Sequence, residues 1–178
     1  MKRWLVRLLV LVIGLVAVAY VAGLFIPRDH VATMSIELAT PPDRVFQVIA
    51  DVAKTPEWRS DVSRVQMQPQ PDGSMRFTEF SSQGDVQFEI LRQDAPLRQV
   101  IRVIDDDQPF GGIWTWDLEP GAGGGTRLIL TEAGFIKNPL FRSMGALFFS
   151  PTDTMDAYLR DLAKRLGETA QPAAVSRS

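Results

Sequence analysis

An uninterrupted apolar run opens the hydropathy pattern of the chain. No charged residue stands between Leu8 and Ile26, a stretch of 19 positions, and a proline followed by charged residues ends it. At about 1.5 Å per residue this run nearly crosses a hydrocarbon core of about 30 Å, and it crosses one fully if it begins at Trp4 and Arg7 snorkels. The pattern therefore predicts one N-terminal transmembrane helix, with residues 1–27 as the anchor.

Basic residues flank the apolar run unequally. Lys2, Arg3 and Arg7 precede it, whereas only Arg28 follows it closely. By the positive-inside rule the N-terminus lies in the cytoplasm, and the rest of the chain lies outside, in a periplasmic or extracellular space. A cleaved signal peptide is the alternative, since Ala17-Val18-Ala19 has the small residues of a processing site. Both interpretations place the folded domain outside the cytoplasm.

After the anchor the pattern alternates with a period of two and then becomes helical. Apolar and polar residues alternate over 32–38, which predicts a strand with one buried face. Thr40-Pro41-Pro42-Asp43 offers a capping threonine and an early proline, so a short helix follows, with a second helical turn from Pro56 to Asp61. Ser150-Pro151-Thr152-Asp153 repeats the capping pattern and begins a longer amphipathic helix.

Turn signals recur about every ten residues between the two helical regions, and the runs between them are rich in β-branched and aromatic residues. They predict six consecutive antiparallel strands: Val62 to Gln68, Ser74 to Ser81, Val86 to Gln93, Arg98 to Asp105, Ile113 to Glu119 and Thr126 to Glu132. The predicted fold class is α+β, with a seven-stranded antiparallel sheet around a long C-terminal helix. Residues 28–170 form this domain, and residues 171–178 are predicted to be a disordered tail.

Composition excludes several kinds of chemistry. The chain has no cysteine, which rules out disulfides, zinc–cysteine sites and thiol nucleophiles. His30 is the only histidine, so a histidine metal cage cannot form, and because His30 directly follows the anchor we expect it to be a surface residue rather than the base of a serine–histidine triad. A net charge of −2 gives no basic footprint for nucleic acid. We therefore predict no metal, no cofactor, no nucleic-acid partner and no assigned catalytic residue.

The order of elements and a set of short motifs resemble the START-like superfamily of helix-grip proteins, also called SRPBCC. The motifs are the Thr40-Pro41-Pro42 helix entry, Trp58, Trp114-Thr115-Trp116-Asp117-Leu118-Glu119-Pro120, Gly125-Thr126-Arg127-Leu128, Thr131-Glu132, Asn138-Pro139-Leu140-Phe141-Arg142 and Met155-Asp156-Ala157-Tyr158-Leu159. Over roughly residues 31–168 the chain is most similar to membrane-anchored members of the polyketide cyclase/dehydrase and lipid-transport branch. This resemblance implies a curved sheet and, between it and the terminal helix, a cavity that accepts a hydrophobic molecule.

Strand parity indicates which side chains face such a cavity. Trp114, Trp116 and Leu118 share one face of their strand, which is the more apolar one. In the next strand Leu128 and Leu130 share a face with Glu132. Glu132 is the acidic residue best placed for chemistry, because it ends a row of apolar side chains. In that position it can accept a ligand hydrogen bond or act as a general base. The alternative is that it lies in water or pairs with an arginine.

Strand parity does not decide whether two other polar candidates, Glu79 and Arg102, face the groove. Glu79 lies in phase with Phe77, and Arg102 lies in phase with Val100, so an arginine–carboxylate pair in the groove would anchor a polar ligand group. The opposite phase turns both outward, and both phases carry apolar residues. The aromatic residues can stack on a ligand or simply fill the core. The ligand-cavity candidates are Trp58, Phe77, Glu79, Arg102, Trp114, Trp116, Leu128, Leu130, Glu132, Met155 and Leu159.

These patterns favour a membrane-tethered domain that binds a hydrophobic small molecule or lipid. The first alternative is a polyketide cyclase/dehydrase-like enzyme that uses carboxylates such as Glu132 and Glu79. The second is an envelope protein-interaction module, which a filled cavity together with an exposed apolar patch would favour. The apolar stretch from Phe135 to Phe149 is also able to rest on a membrane surface.

Overall fold

A computed structural model describes residues 2–82, 84–104, 108–148 and 152–175. The helices are α1 (Lys2–Leu24), α2 (Pro42–Ala50), α3 (Pro139–Phe148) and α4 (Asp153–Arg165), with 3-10 turns at Val52–Glu57 and Ala122–Gly124. The strands are β1 (Asp29–Leu38), β2 (Val62–Pro69), β3 (Met75–Ser81), β4 (Gly84–Asp94), β5 (Arg98–Val103), β6 (Phe110–Pro120), β7 (Thr126–Ile136) and β8 (Ala173–Ala174). Helix α1 is long and apolar enough to span a bilayer, and a signal sequence near the N-terminus would have the same properties.

All strands form one antiparallel sheet in the order β2-β3-β4-β5-β6-β7-β1-β8. Helix α4 packs on its inner face, so the predicted helix-grip architecture is confirmed. We call the end of the sheet that contains Asp29 and Ile136 the anchor end, because β1 begins there just after α1. The opposite end, which contains Leu38 and Pro69, is the distal end.

The predicted strands are all present, and the sheet has one strand more than predicted. Ala173–Ala174 lies in the segment expected to be a disordered tail, yet it pairs with β1, and the Val175 amide donates to the carbonyl of Thr33 at 3.0 Å. Edge strand β1 has unpaired backbone groups on that side, which even two alanines can satisfy. Helix α3 was not predicted, although Leu140, Phe141, Met144 and Leu147 recur at helical spacing.

The predicted threonine cap of α2 is wrong. Pro41, not Thr40, is the residue before the first helical position. The Thr40 hydroxyl instead donates to Glu168 at 2.6 Å, and the same carboxylate accepts from the backbone amides of Ala39 at 2.8 Å and Thr40 at 3.0 Å. These bonds fasten the chain after α4 to the distal end of β1. Ser150 and Pro151 of the second predicted cap lie outside the described residues.

Packing is uneven across the inner face of the sheet. The fully buried core consists mainly of side chains from β1, β6, β7, α2 and α4. The opposite half of the groove, formed by β2 and β4 with neighbouring residues, carries side chains that are only half-buried. They are Trp58, Val65, Met67, Phe88 and Ile90, while Trp114 of β6 is half-buried as well. Helix α4 thus covers the side of the groove near β1, β6 and β7 more fully than the side near β2 and β4.

Candidate functional site

Most of the residues predicted to line a cavity do lie on the inner face, but six of them are packed core. Phe77, Trp116, Leu128, Leu130, Met155 and Leu159 are all at most 3% exposed. They touch one another in a single cluster between sheet and helix. Side chains this well enclosed stabilise the domain by burial of apolar surface and leave no room for a ligand beside them. These six residues therefore form part of the hydrophobic core and do not line an open cavity.

Arg102 lies on the other face of the sheet. Its strand neighbours Ile101 and Val103 are 7% and 6% exposed and point inward, so Arg102 points outward and pairs there with Glu89. The expectation of Arg102 inside the groove is wrong, because β5 has apolar residues in both phases and sequence parity could not choose between them. Glu79 takes the inward phase with Phe77.

An open depression adjoins the half-buried part of the groove at the distal end. Its volume is about 660 Å³, and its lining combines apolar residues, Val52, Met67, Met75 and Ile90, with polar ones that include Asp51, Asp72 and Arg92. This volume lies within the range of small-molecule sites, about 300–1,000 Å³. Met75 shares the inner phase of β3 with Phe77 and Glu79, so that strand leads from the depression toward the anchor end.

A buried ion pair stands at the other end of the same strand. The guanidinium Nη1 of Arg59 lies 3.1 Å from Oε2 of Glu79, and the two side chains are only 12% and 14% exposed. Arg59 also donates through Nε to Oδ1 of Asp61 at 3.0 Å. Burial raises the pKa of the Glu79 carboxyl above its ordinary value, and the guanidinium of Arg59 opposes that shift. The sequence thus indicated the right carboxylate but the wrong arginine.

A row of aromatic rings runs from this ion pair across the groove. The guanidinium carbon of Arg59 lies 5.4 Å from the centre of the Tyr158 ring, a cation–π distance. The Tyr158 ring lies 5.2 Å from that of Trp58 and 5.6 Å from that of Trp116. Trp116 in turn lies 6.0 Å from Trp114. The indole Nε1 of Trp58 has no hydrogen-bond partner within the described part of the chain.

Glu132 terminates the row on the opposite side. It stands directly across from Trp114 in the β6–β7 pairing and accepts a hydrogen bond from the Trp114 side chain. Burial raises the pKa of the Glu132 carboxyl to about 7. The arginine partner considered as an alternative is not its neighbour. A carboxyl group that titrates near neutrality is able both to accept and to give up a proton at physiological pH.

His30, expected as a surface residue, is partly exposed and is a titratable neighbour of Glu132. Its Nε2 lies 3.8 Å from Oε1 of Glu132, and its side chain is 32% exposed. The absence of a side chain at Gly134 leaves room for the imidazole of His30. A Cβ on that glycine would lie 2.7 Å from Cε1 of His30, so any other residue would displace the imidazole. Sequence reasoning missed the pair because it depends on the β1–β7 register, in which His30 stands opposite Gly134.

The site therefore consists of an apolar groove with two polar places near its anchor end. One is the Arg59–Glu79 ion pair, and the other is Glu132 with His30 and Trp114. Such an arrangement suits a largely apolar molecule that carries one or two polar groups. Among the residues that the structure describes, no group of three acidic or histidine side chains is placed to hold a metal ion.

The sequence profile of the family described as polyketide cyclase/dehydrase and lipid transport matches residues 29–167. That match covers the whole sheet from β1 to β7 and helices α2 to α4. The chain belongs to this family. A search of curated protein sequences finds no match to the chain. Membership confirms the resemblance that the motifs had indicated.

Several solved structures share the fold of this family member. The di-domain ARO/CYC StfQ from the steffimycin biosynthetic pathway superposes with a TM-score of 0.63 at 15% identity; the match covers 79% of this family member and 53% of StfQ. The Zhui aromatase/cyclase from Streptomyces sp. R1128 gives a TM-score of 0.63 at 13% identity over 78% and 94% of the two chains. A START superfamily protein from Mycobacterium smegmatis gives 0.59 at 14% identity, over 78% and 97%. At these identities the likeness concerns the fold alone.

Proposed function

We propose that this family member is a membrane-tethered protein that binds a hydrophobic small molecule or lipid in the half-closed part of its groove. The observation that carries the proposal is the contrast between the two halves of the inner face. Most inner side chains of β1, β6 and β7 are buried under α4, whereas Val65, Met67, Phe88 and Ile90 of β2 and β4 remain half-buried. Met67 and Ile90 also line the depression of about 660 Å³. Half-covered apolar surface next to an open volume is what a hydrophobic ligand would cover.

The distance along the inner face of β3 sets the expected length of the ligand. Met75 lines the depression, and Glu79 of the buried ion pair lies four residues further along the strand. At about 3.3 Å per residue the two places are roughly 13 Å apart. An apolar body would begin beside Met67 and Ile90, and to reach Arg59 and Glu79 it would have to displace the Phe77 ring, which is buried and stacked on Phe88 between the two places. The ion pair then supplies charge-assisted hydrogen bonds for orientation.

The tether is part of the proposal. Helix α1 is long and apolar enough to span a bilayer, and three basic residues precede its apolar run. The positive-inside rule supports a cytoplasmic N-terminus and a domain outside the cytoplasm. In this orientation the anchor end of the groove, with its polar groups, is the end nearest the membrane.

The cyclase/dehydrase-like alternative is favoured by one observation of its own. Burial raises the pKa of Glu132 to about 7, and Glu132 lies across from Trp114 in the β6–β7 pairing, which suits a general base. In that case the carboxylate removes a proton from carbon or oxygen of the bound molecule and returns it to a leaving or carbonyl oxygen. Glu132→Gln would then abolish turnover while binding persists, whereas a binding protein shows no turnover to lose.

Filling the groove is the direct test of binding. Ile90→Trp places a large ring on the inner face of β4, whereas Gln87→Trp places the same ring on the exposed outer face of that strand. We expect the full chain in detergent to bind the fluorescent fatty acid cis-parinaric acid. Ile90→Trp should weaken that binding about tenfold or more, a loss of about 1.4 kcal/mol, and Gln87→Trp should leave it unchanged.

Thermal unfolding of both variants controls for damage to the fold. If Ile90→Trp folds and still binds the probe as tightly as Gln87→Trp does, the ligand does not occupy this groove and the proposed site is wrong. If neither variant nor the unaltered chain binds the probe, a fatty-acid-like ligand is excluded.

A further inference from the structure

Helix α3 is docked closely on α1. A Cβ on Gly23 would lie 1.9 Å from the carbonyl oxygen of Pro139, so only glycine permits this approach. The Ser143 hydroxyl donates to the carbonyl of Ala19 at 2.5 Å, and Ser143 is only 4% exposed. A small residue at the contact and a side chain–backbone hydrogen bond across it are typical of helix packing within membranes.

These contacts give α3 a direction. Gly23 lies against Pro139, and Ala19 lies against Ser143, so four residues back along α1 correspond to four residues forward along α3. The two helices therefore run antiparallel, and α3 leads away from the sheet along the side of α1. With ten residues α3 is about 15 Å long, roughly half the thickness of a hydrocarbon core.

The length of α1 fixes where that contact lies. A bilayer requires about 20 residues of helix, and α1 has 23, with basic residues at Lys2, Arg3 and Arg7. A span of about 20 residues within α1 includes Ala19 wherever it is placed, and a span that keeps Lys2 and Arg3 out of the hydrocarbon core also includes Gly23. The segment of α3 that contacts them would be at the same depth.

The composition of α3 fits that depth. It contains no acidic residue, and its one charged side chain, Arg142, extends toward the end of α1 and donates to the carbonyl of Ile26 at 2.9 Å. This is the geometry of an arginine that snorkels from the core to the interface. The surface of α3 away from α1 exposes Phe141, Met144 and Leu147, the last at 74%. In water this patch is unfavourable, and in a bilayer it meets acyl chains.

We propose that α3 is inserted beside α1 into the half of the bilayer nearest the domain, with Phe141, Met144 and Leu147 against lipid acyl chains. The inference rests on the proposed role of α1 as a membrane span. It also requires α1 to be retained, because Pro139 and Ser143 of α3 dock on Gly23 and Ala19 of α1. The exposed patch is thereby assigned to lipid rather than to a protein partner, and α3, which directly follows β7, brings the anchor end of the groove to the membrane surface.

The cysteine-free chain permits a clean depth measurement. Single variants Leu147→Cys, Val18→Cys and Leu97→Cys carry an environment-sensitive nitrobenzoxadiazole label; Val18 is exposed on α1, and Leu97 is exposed in the distal β4–β5 turn. The full chain is reconstituted in vesicles of phosphatidylcholine with a minority of phosphatidylglycerol. Nitroxide lipids with a shallow or a deep spin label quench the fluorescence.

We expect the label at Leu147 to be quenched by the deep nitroxide nearly as strongly as the label at Val18, and the label at Leu97 not to be quenched. If the Val18 label lies in lipid and the Leu147 label in water, the insertion of α3 is refuted while the tether stands. If the Val18 label also lies in water, the tether itself is wrong, and the present inference fails with it.

Two glycines of α1 provide a matched control for the docking. Gly23→Val is expected to push α3 away and move the Leu147 label toward the shallow nitroxide, since its Cβ would meet Pro139. Gly14→Val should leave the depth unchanged, because a Cβ there meets nothing within 4 Å. A Leu147 depth that is insensitive to both substitutions would show that contact with α1 does not hold α3 in place.

Discussion

Replacement of Arg59 by methionine is expected to lower the free energy of unfolding by about 3–5 kcal/mol. Removal of one partner from a buried ion pair leaves the other charge without compensation, and losses of this size are typical. Glu79, which is only 14% exposed, would be that stranded charge. Burial already raises its pKa, so without the guanidinium its carboxyl should take up a proton more readily. The cost should therefore shrink as the pH is lowered.

The ion pair should respond asymmetrically to substitution of its two members. Glu79→Gln leaves Arg59 with its second partner, since Nε of Arg59 still donates to Asp61 at 3.0 Å. We expect this variant to lose clearly less stability than Arg59→Met, and the double variant to recover part of the loss. Urea unfolding of the full chain in detergent, followed by near-ultraviolet circular dichroism of the aromatic row, measures all three.

Arg102→Met is the matched control. Arg102 pairs with Glu89 on the outer face with half of its side chain exposed, and exposed pairs contribute about 0–1 kcal/mol. Equal losses for Arg59→Met and Arg102→Met would contradict the assignment of Arg59 to the buried groove.

Glu132→Gln is expected to change the pH dependence of stability rather than its maximum. Burial raises the pKa of Glu132 in the folded state to about 7, whereas an unfolded glutamate titrates near 4.3. The folded state therefore binds this proton more tightly, and the stability it contributes is complete below about pH 4 and is lost as the pH rises through about 7. At about 1.4 kcal/mol per pKa unit the full loss is about 4 kcal/mol.

Glutamine retains the shape of Glu132 but cannot ionise. The variant should therefore be more stable than the unaltered chain at about pH 8 and similar to it at about pH 4, provided its amide still accepts from Trp114. Glu37→Gln, on an exposed side chain of β1, should not alter the profile. Thermal unfolding across this pH range tests the prediction. Parallel profiles for the unaltered chain and Glu132→Gln would mean that Glu132 is solvated, and the polar place beside His30 would lose its basis.

The fold was largely predictable because its strands are separated by strong turn signals. Every predicted strand is present, and β1 and β7 are longer than predicted because their outer ends pair with each other near the anchor. Parity also placed Trp114, Trp116, Leu128, Leu130 and Glu132 correctly on the inner face, since in β6 and β7 only one phase is strongly apolar.

The polar chemistry of the groove was less predictable because it depends on partners that are distant in sequence. In β5 both phases contain apolar residues, so the outward position of Arg102 follows only from packing of Ile101 and Val103. Arg59 lies just after a 3-10 turn, where no period indicates a direction. Its neighbour Trp58, already singled out as aromatic mass near the cavity, is the one signal that pointed to this segment.

The sequence also could not show that the core between sheet and helix is completely filled. The candidates Phe77, Met155 and Leu159 were correctly expected between sheet and helix, yet whether they enclose a void depends on how closely α4 approaches. That distance follows from contacts at both ends of the helix, such as the acceptance of three hydrogen bonds by Glu168 at the end of β1. No local sequence pattern indicates the distance between α4 and the sheet.

Native mass spectrometry of the full chain, extracted from its own host's membranes together with Ile90→Trp, tests the central claim most directly. We predict one apolar small molecule or lipid per chain that survives removal of the detergent, and its loss from Ile90→Trp. Lipid extraction then identifies its class. An unaltered chain that is repeatedly empty, or a ligand held equally by Ile90→Trp, would contradict binding in the half-closed groove.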